Sequence, residues 1–288
     1  MPAVKEHGMT GTTAETKSHK VAFYADIFYR SERSPAYWIP PANLDVDVIL
    51  LGGDIHYSPE GLGAMLAEIR QSQDEATRIV VVPGNGEYVR QELDESRARY
   101  RAVVNAIPNT TWLDDETILL PGGLRIVGST LWSAVAEADI GHYAGMLAAE
   151  GLKGVDDIRL GGRYLTLADT NELHAAARDF IARELRALSG AERAKTIVCT
   201  HFWPTLRPWT DDAGRALDSH EEAQWLHMIG SGLDDLIAEC GPRFWLCGHA
   251  HTTRHVTIGA TQISSNPRAG DGPGNTNPEF RETYVVEL

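Results

Sequence analysis

Short apolar runs alternate with longer stretches of helical period from Lys20 to the end of the chain. Runs of aliphatic and β-branched residues bounded by turn residues predict buried strands, and apolar residues three and four positions apart predict helices. The predicted strands cover residues 20–25, 46–52, 78–84, 124–130, 195–200, 243–248, 254–259 and 282–288. The predicted helices cover residues 61–73, 88–107, 169–188 and 221–240, the third with Asp169 as its N-terminal cap. This alternation predicts an α/β layered domain.

No repeat, low-complexity block or shift in composition divides the chain, so we expect a single domain over residues 20–288. Residues 1–19 lack a hydrophobic period and are interpreted as a mobile N-terminal arm, with an expression remnant as the alternative. The pattern is least regular over residues 132–168, which we interpret as a cap over one edge of the sheet. The segment 265–280 is dense in Gly, Pro and Asn and predicts a long loop.

Charge and cysteine content narrow the classes of function. The chain has 26 Lys and Arg residues against 40 Asp and Glu, a formal net charge of −14 that repels nucleic-acid backbones and anionic membranes. Its three cysteines lack CxxC spacing, which favours neither a disulfide framework nor a cysteine zinc site. No stretch is apolar enough for a membrane helix or a secretory signal. We therefore expect a cytoplasmic protein that binds neither nucleic acid nor membrane, with its oligomeric state left open.

Side chains able to bind a cation follow five of the predicted strands, where open α/β sheets place their ligand crevice. Each is by itself an ordinary turn or loop residue. Two carboxylates, one amide and three imidazoles at the same edge of one sheet nevertheless predict a metal site. Oxygen and nitrogen donors without a thiolate suit Mn, Fe, Zn or similar ions, and six ligands fit two ions better than one. The candidate ligands are Asp26, Asp54, Asn85, His201, His249 and His251, with Asp54 as the bridging carboxylate.

These motifs resemble those of the calcineurin-like metallophosphoesterases. That family's series D-x-H, G-D, G-N-H-[DE], H and G-H-x-H has counterparts in order at Asp26-Ile27-Phe28, Gly53-Asp54, Gly84-Asn85-Gly86-Glu87, His201 and Gly248-His249-Ala250-His251. Similarity to the bacterial branch with an N-P-R tail motif continues to Asn266-Pro267-Arg268 and covers residues 21–288. The resemblance implies a four-layer αββα sandwich with mixed sheets. It also implies hydrolysis of a phosphate mono- or diester by a metal-activated hydroxide, with Asn85 stabilising the phosphate oxygens.

Two motif positions depart from the family pattern. Phe28 stands where the first motif carries a metal-binding His, and Gly86 stands where the third carries a His that contacts the phosphate and assists the leaving group. Carried over residue by residue, the resemblance implies one or two divalent ions per chain. The first, weakened site has Asp26, Asp54 and His251, and the second, complete site has Asp54, Asn85, His201 and His249.

Three further side chains are candidates, each with an alternative interpretation. His56 either completes the first site, contacts the phosphate in place of a His at position 86, or is an exposed loop imidazole. Arg30 and Arg268 are candidate clamps for the phosphate of a small phosphorylated substrate, with a solvated loop arginine as the alternative for each. A catalytically silent scaffold of the same fold and a metalloenzyme with other chemistry stand as alternatives to a phosphoesterase.

Overall fold

The computed structural model describes residues 18–27, 38–210, 225–268 and 276–288. The strands of these residues are β1 (Lys20–Tyr24), β2 (Val48–Gly52), β3 (Arg78–Val82), β4 (Thr110–Trp112), β5 (Glu116–Leu119), β6 (Arg125–Ser129), β7 (Arg159–Leu160), β8 (Arg163–Tyr164), β9 (Thr196–Thr200), β10 (Phe244–Cys247), β11 (His255–Ile258), β12 (Thr261–Ser265) and β13 (Val285–Glu287). The helices are α1 (Pro59–Ser72), α2 (Leu93–Asn105), α3 (Ile140–Ala149), α4 (Leu167–Arg186), α5 (Gly190–Arg193), α6 (Leu226–Ile229) and α7 (Asp234–Cys240).

Two mixed sheets carry the strands that precede the candidate ligands. Among the described residues the first sheet has the order β13-β1-β2-β3-β4, with β1 to β4 parallel and β13 antiparallel. The second has the order β11-β12-β10-β9-β6-β5, with its four central strands parallel and both outer strands antiparallel. The expectation of one sheet is therefore wrong, because hydrophobic period identifies a strand but does not identify its pairing partner.

The two sheets pack face to face, with helices on both outer faces. Leu50 of β2 and Leu246 of β10 share the core between the sheets. The next residue of β2, Leu51, points to the opposite face and packs with α1. Trp245 of β10 likewise points outward and packs with α4. Strands buried on both faces account for the continuous apolar runs of the sequence, and the four layers confirm the predicted αββα sandwich.

Thr166 caps helix α4, which corrects the prediction of Asp169 as the cap. The Thr166 hydroxyl accepts a hydrogen bond from the Asp169 backbone N–H at 3.3 Å, and the Asp169 carboxylate accepts one from the Thr166 backbone N–H at 2.8 Å. Asp169 is thus the third residue of a capping box. Hydrogen bonds from Arg163 hold the pKa of Asp169 well below its usual range.

The helix predicted over residues 221–240 is interrupted. Residues 221–224 lie outside the described residues, and a break separates α6 from α7. Gly230 in this break forms a β-bridge with Trp203, and a Cβ at position 230 would lie 2.3 Å from the Trp203 carbonyl oxygen. This close approach of two backbones requires glycine and prevents a continuous helix.

The segment 132–168 packs onto the outer face of the second sheet. It contains α3, a 3₁₀ turn at Val155–Asp157 and the β7–β8 hairpin. Side chains of Tyr143, Ile158 and Leu165 are buried in the core beneath α4. None of the helices in the described part of the chain is long and apolar enough to cross a membrane.

His19, the last residue of the predicted arm, is joined by hydrogen bonds to the end of the first sheet. His19 and Leu288 exchange two backbone hydrogen bonds, at 2.9 and 3.0 Å, and the buried His19 ring bonds the Pro121 carbonyl oxygen at 2.7 Å. Ser18 is also described, and residues 1–17 of the predicted arm lie outside the described residues. In the predicted tail loop, residues 269–275 lie outside them as well.

Candidate metal centre

The six predicted ligands meet where the carboxyl ends of strands from both sheets come together. The first sheet supplies the residues after β1, β2 and β3, and the second supplies those after β9 and β10. Each of the five strands pairs with a strand on both sides among the described residues. The residues in question are Asp26, Asp54, Asn85, His201, His249 and His251.

Asp26, Asp54 and His251 form the tightest group of the candidate ligands. One ligand atom from each lies within 4.8 Å of the other two, and His251 Nε2 is 3.5 Å from Asp26 Oδ1. The Asp26 carboxylate is almost completely buried and accepts hydrogen bonds from the His249 backbone N–H at 3.0 and 3.2 Å. Two carboxylates brought together out of water repel each other unless a cation lies between them. This group therefore fits a divalent metal ion.

His201 presents a bare ring nitrogen to Asp54. The imidazole is completely buried, its Nδ1–H donates to the Gly52 carbonyl oxygen at 3.0 Å, and its Nε2 lies 3.3 Å from Asp54 Oδ1 without a hydrogen bond. A backbone carbonyl on one nitrogen and an unpaired second nitrogen is the arrangement of metal-binding histidines. Burial opposes protonation, but the Asp54 carboxylate outweighs it and raises the pKa of His201 to about 10. A metal ion bound to Nε2 would take the place of that proton, because a ligating imidazole must be neutral.

His249 and Asn85 each use one polar atom on a neighbour and leave the other for the site. His249 Nε2–H donates to the Met228 carbonyl oxygen at 3.1 Å, and its ring lies 5.1 Å from that of His201, centroid to centroid. Burial lowers the pKa of His249 to about 3, which keeps the ring neutral, as metal ligation requires. The Asn85 side chain is buried, and its Oδ1 has no hydrogen-bond partner among the described residues. An orphaned amide oxygen among carboxylates and imidazoles is a further fit to a metal ion.

Four of the six candidate ligands have left-handed backbone conformations. The φ angles are 51° at Asp26, 54° at Asp54, 66° at His249 and 56° at His251. Such conformations cost about 1–3 kcal/mol for residues other than glycine and concentrate at functional sites. They turn the chain sharply after β1, β2 and β10, where strand ends of the two sheets come together.

Glu87 holds the loops after β2 and β3 together. Its buried carboxylate accepts backbone N–H groups from Asp54, Ile55 and His56 in one loop, at 2.7 to 3.1 Å, and from Gly84 in the other, at 2.7 Å. Burial and the nearby Asp54 carboxylate raise the pKa of Glu87 to about 7, against the opposing effect of these N–H groups. The carboxylate fixes the positions of the two loops that carry Asp54 and Asn85. The sequence signal for this role is the acidic fourth position of the third motif.

An aromatic stack supports His249 from behind. The Trp132 ring stacks between Tyr88 at 6.2 Å and Phe202 at 5.8 Å, and the Phe202 ring lies 4.0 Å from the His249 ring. His174 of α4 donates to the carbonyl oxygens of the turn that carries Trp132. These contacts leave the imidazole of His249 little freedom to rotate away from the site.

The remaining predicted site residues have different positions. The His56 ring lies over Gly61 in the first turn of α1, its Nδ1 accepts the Ser58 backbone N–H at 3.2 Å, and burial lowers its pKa. Its role in the site stays a hypothesis. The Arg268 backbone N–H donates to the Ala25 carbonyl oxygen at 2.9 Å, which brings this partly buried residue next to Asp26. Arg30 and Phe28 lie outside the described residues, so the weakened first site stays a prediction.

Gly86 is fitted closely against the Asp54 carboxylate. Its backbone N–H donates to Asp54 Oδ1 at 2.7 Å, and a Cβ at this position would lie 2.7 Å from Oδ1 and 2.8 Å from Cγ. Any side chain here, including a histidine, must displace the central carboxylate of the site. The lack of a motif-three histidine is therefore matched to the packing around Asp54.

We expect Gly86→Ala to weaken metal binding by about 10-fold or more, as displacement of a ligand by its surroundings typically does. The added methyl group pushes the Asp54 carboxylate from its position. Mn²⁺ titration of the chelator-treated variant measures the effect. Gly145→Ala on α3, where a Cβ meets nothing within 4 Å, is the matched control and should bind as the parent does. Equal affinity in Gly86→Ala and the parent would contradict the prediction.

The chain is similar to known proteins in sequence and in fold. A model of the calcineurin-like phosphoesterase family matches residues 19–253. The chain belongs to this family. A solved phosphopantetheinyl hydrolase from Mycobacterium tuberculosis shares the fold with a TM-score of 0.63 and 15% identity, over 93% of this chain and 95% of that chain. A second solved structure gives a TM-score of 0.53 and 14% identity, over 87% and 91%. No curated protein matches this sequence.

Proposed function

We propose that the protein is a metal-dependent phosphoesterase that hydrolyses a phosphate mono- or diester. The observation that carries the proposal is the convergence of two carboxylates, an orphaned amide oxygen and three imidazoles at adjoining strand ends of the two sheets. His201 and His249 each have one ring nitrogen bound to a backbone carbonyl oxygen, and the amide nitrogen of Asn85 is bound to a carboxylate. The second polar atom of each of these side chains is left for a metal ion. The donor set contains no thiolate and suits Mn, Fe, Zn or similar divalent ions.

Two ions, sharing Asp54, would be held by these residues. Asp26, Asp54 and His251 would hold the first, and Asp54, Asn85, His201 and His249 the second. Divalent ions in such a site supply Lewis acidity toward phosphoryl oxygens and lower the pKa of a water molecule.

The chain's own residues orient the substrate and exclude water. His201 and Asp26 are buried, whereas half of the His251 side chain is exposed, so a substrate would approach from the side of His251. Arg268, whose backbone is anchored to Ala25 beside Asp26, would supply a guanidinium for a phosphate oxygen. Glu87 and its four N–H donors hold the ligand loops before substrate arrives, so little reorganisation is needed during the reaction. We also propose a small phosphorylated substrate and a cytoplasmic location; the three free, buried thiols are suited to a reducing compartment.

The test measures metal content and hydrolysis in the same preparation. The full chain is stripped with a chelator, reloaded with Mn²⁺, and assayed on 4-nitrophenyl phosphate and bis(4-nitrophenyl) phosphate. A phosphopantetheinyl ester is a third substrate, because the solved hydrolase of similar fold is named for that group. We expect Mn²⁺ to restore hydrolysis of at least one ester. His142→Ala, which removes an exposed imidazole on α3, is the control and should match the parent.

Two outcomes would overturn the proposal. Tight Mn²⁺ binding without hydrolysis of any ester would support the silent scaffold or a metalloenzyme with other chemistry. Hydrolysis that survives complete metal removal would show that the proposed site is not the source of activity.

A further inference from the structure

A carboxylate from a distant part of the chain holds the amide of Asn85. Asn85 Nδ2 donates to Asp156 Oδ2 at 2.8 Å, across 71 positions of sequence. Asp156 lies in the 3₁₀ turn Val155–Asp157 between α3 and β7, with a left-handed φ of 51°. No family motif includes this residue, and the sequence pattern around it shows only a loop.

The turn that carries Asp156 is firmly docked on the loop that follows Asn85. The Arg90 backbone N–H donates to the Asp156 carbonyl oxygen at 3.2 Å, and the Arg159 N–H donates to the Gln91 carbonyl oxygen at 2.8 Å. The Glu92 carboxylate accepts backbone N–H groups of the β7–β8 turn at 2.7 and 3.2 Å. Val155, the first residue of the turn, and Ile158, which follows it, are buried in the core of the second sheet. The position of the Asp156 carboxylate is thus set by contacts on both sides.

This hydrogen bond determines which atom of the Asn85 amide faces the site. An amide has one oxygen that accepts and one nitrogen that donates. The carboxylate of Asp156 binds the nitrogen and would repel the oxygen, so the reversed amide is strongly disfavoured. Oδ1, buried and without a hydrogen-bond partner among the described residues, is left as the ligating atom. A carboxylate partner also increases the electron density of the amide oxygen and adds negative charge near the cation.

We propose that Asp156 is a positioning residue that orients Asn85 for metal binding and thereby couples the segment 155–162 to the metal centre. The proposal rests on the metal-dependent function proposed above. Asp156 acts through Asn85 and does not itself bind the ion. The segment that carries it belongs to the part of the chain interpreted as a cap, so a shift of the Asp156 carboxylate would be transmitted to the second ion.

The neighbouring carboxylate provides a matched control. Asp157 also has a left-handed backbone, and its Oδ1 accepts the Lys153 backbone N–H at 2.8 Å, within its own segment. Mn²⁺ is titrated calorimetrically into the chelator-treated full chain carrying Asp156→Ala, Asp156→Asn or Asp157→Ala. We expect Asp156→Ala to raise the Mn²⁺ dissociation constant of the second site about 10- to 100-fold, as loss of a ligand's hydrogen-bond partner typically does. Asp156→Asn, which keeps an acceptor but loses the charge, should have a smaller effect, and Asp157→Ala none.

A double-mutant cycle distinguishes positioning from a merely structural role. If Asp156 acts through Asn85, Asp156→Ala should weaken Mn²⁺ binding no further in a chain that already carries Asn85→Ala. The visible absorption of bound Co²⁺ should change in Asp156→Ala, while the unfolding temperature of the metal-free variants stays at that of the parent. Should Asp156→Ala fail to fold, the cycle is run with Asp156→Asn.

The outcomes separate this proposal from the proposed function. Unchanged Mn²⁺ affinity in Asp156→Ala, or losses that add in the double variant, would overturn the positioning role alone. Mn²⁺ binding that responds as expected in a protein without phosphoesterase activity would overturn the function and support the positioning role. A parent protein that binds no Mn²⁺ would overturn both.

Discussion

Replacing His201 with Ala is expected to abolish tight binding at the second metal site and to remove metal-dependent hydrolysis with it. The imidazole is completely buried, its Nδ1–H is fixed on Gly52, and its Nε2 faces Asp54. Alanine supplies no nitrogen in its place and leaves Asp54 Oδ1 without the ring that faces it. We expect the metal content of chelator-washed, Mn²⁺-reloaded protein to fall by at least one ion per chain.

Two controls keep this prediction specific. His142→Ala removes an exposed imidazole and should leave metal content unchanged. His249→Ala removes the other imidazole of the same group and should reproduce the loss of metal, even if the two variants differ in stability. Unchanged metal per chain in folded His201→Ala protein would show that the proposed ligands do not hold the ion.

The positions of the candidate ligands could be predicted because each follows a strand that is easily recognised. Val48–Gly52 and Thr196–Thr200 are fully buried, and their apolar runs end at Gly53-Asp54 and His201. The pairing of the strands could not be predicted from the sequence. β2 and β9 lie in different sheets, and only the packing of both sheets on one core brings the ends of the two strands together.

The missed strands have weak hydrophobic patterns for identifiable reasons. β12 reads TQISS, and its small polar side chains are buried by pairing with β10 and β11 instead of by their own hydrophobicity. β5 is an edge strand with an exposed leucine, Leu119. Its four residues have no pattern of apolar and polar positions that identifies a strand. The predicted cap of α4 is wrong by three residues because Thr166 and Asp169 are both residue types that cap helices. Only the structure shows that the Thr166 hydroxyl accepts a backbone N–H of the first turn.

The contacts that orient the ligands were inaccessible to sequence reasoning. Asp156 binds Asn85 across 71 residues, and the Met228 carbonyl oxygen binds His249 from a short helix that the sequence pattern merges into a longer one. Both depend on loops whose path is set by tertiary packing. The candidate ligands can therefore be predicted from the residues at the strand ends, whereas the groups that orient each ligand can be identified only in the structure.

The second large effect expected is a steep dependence of the hydrolysis rate on the leaving group. Gly86 carries no side chain, and the Asp54 carboxylate fills the space where a Cβ would lie. Protonation of the leaving oxygen by a positioned acid is commonly worth about 10²- to 10⁴-fold in rate. Without an imidazole at this position, aryl esters with acidic phenols should be hydrolysed faster than alkyl esters by a factor of that size. A series of substituted phenyl phosphates, assayed at saturating Mn²⁺, gives the slope of log kcat/KM against leaving-group pKa.

His56 is the residue that could make this prediction wrong. Its ring lies over Gly61, with Nδ1 bound to the Ser58 N–H, and this orientation does not turn Nδ1 toward Asp54. We therefore expect His56→Ala to leave the slope of the leaving-group series as steep as in the parent. A flat series in the parent that becomes steep in His56→Ala, with the largest loss of rate for alkyl esters, would show that His56 protonates the leaving group. In that case the imidazole missing from the third motif has been replaced from the loop after β2.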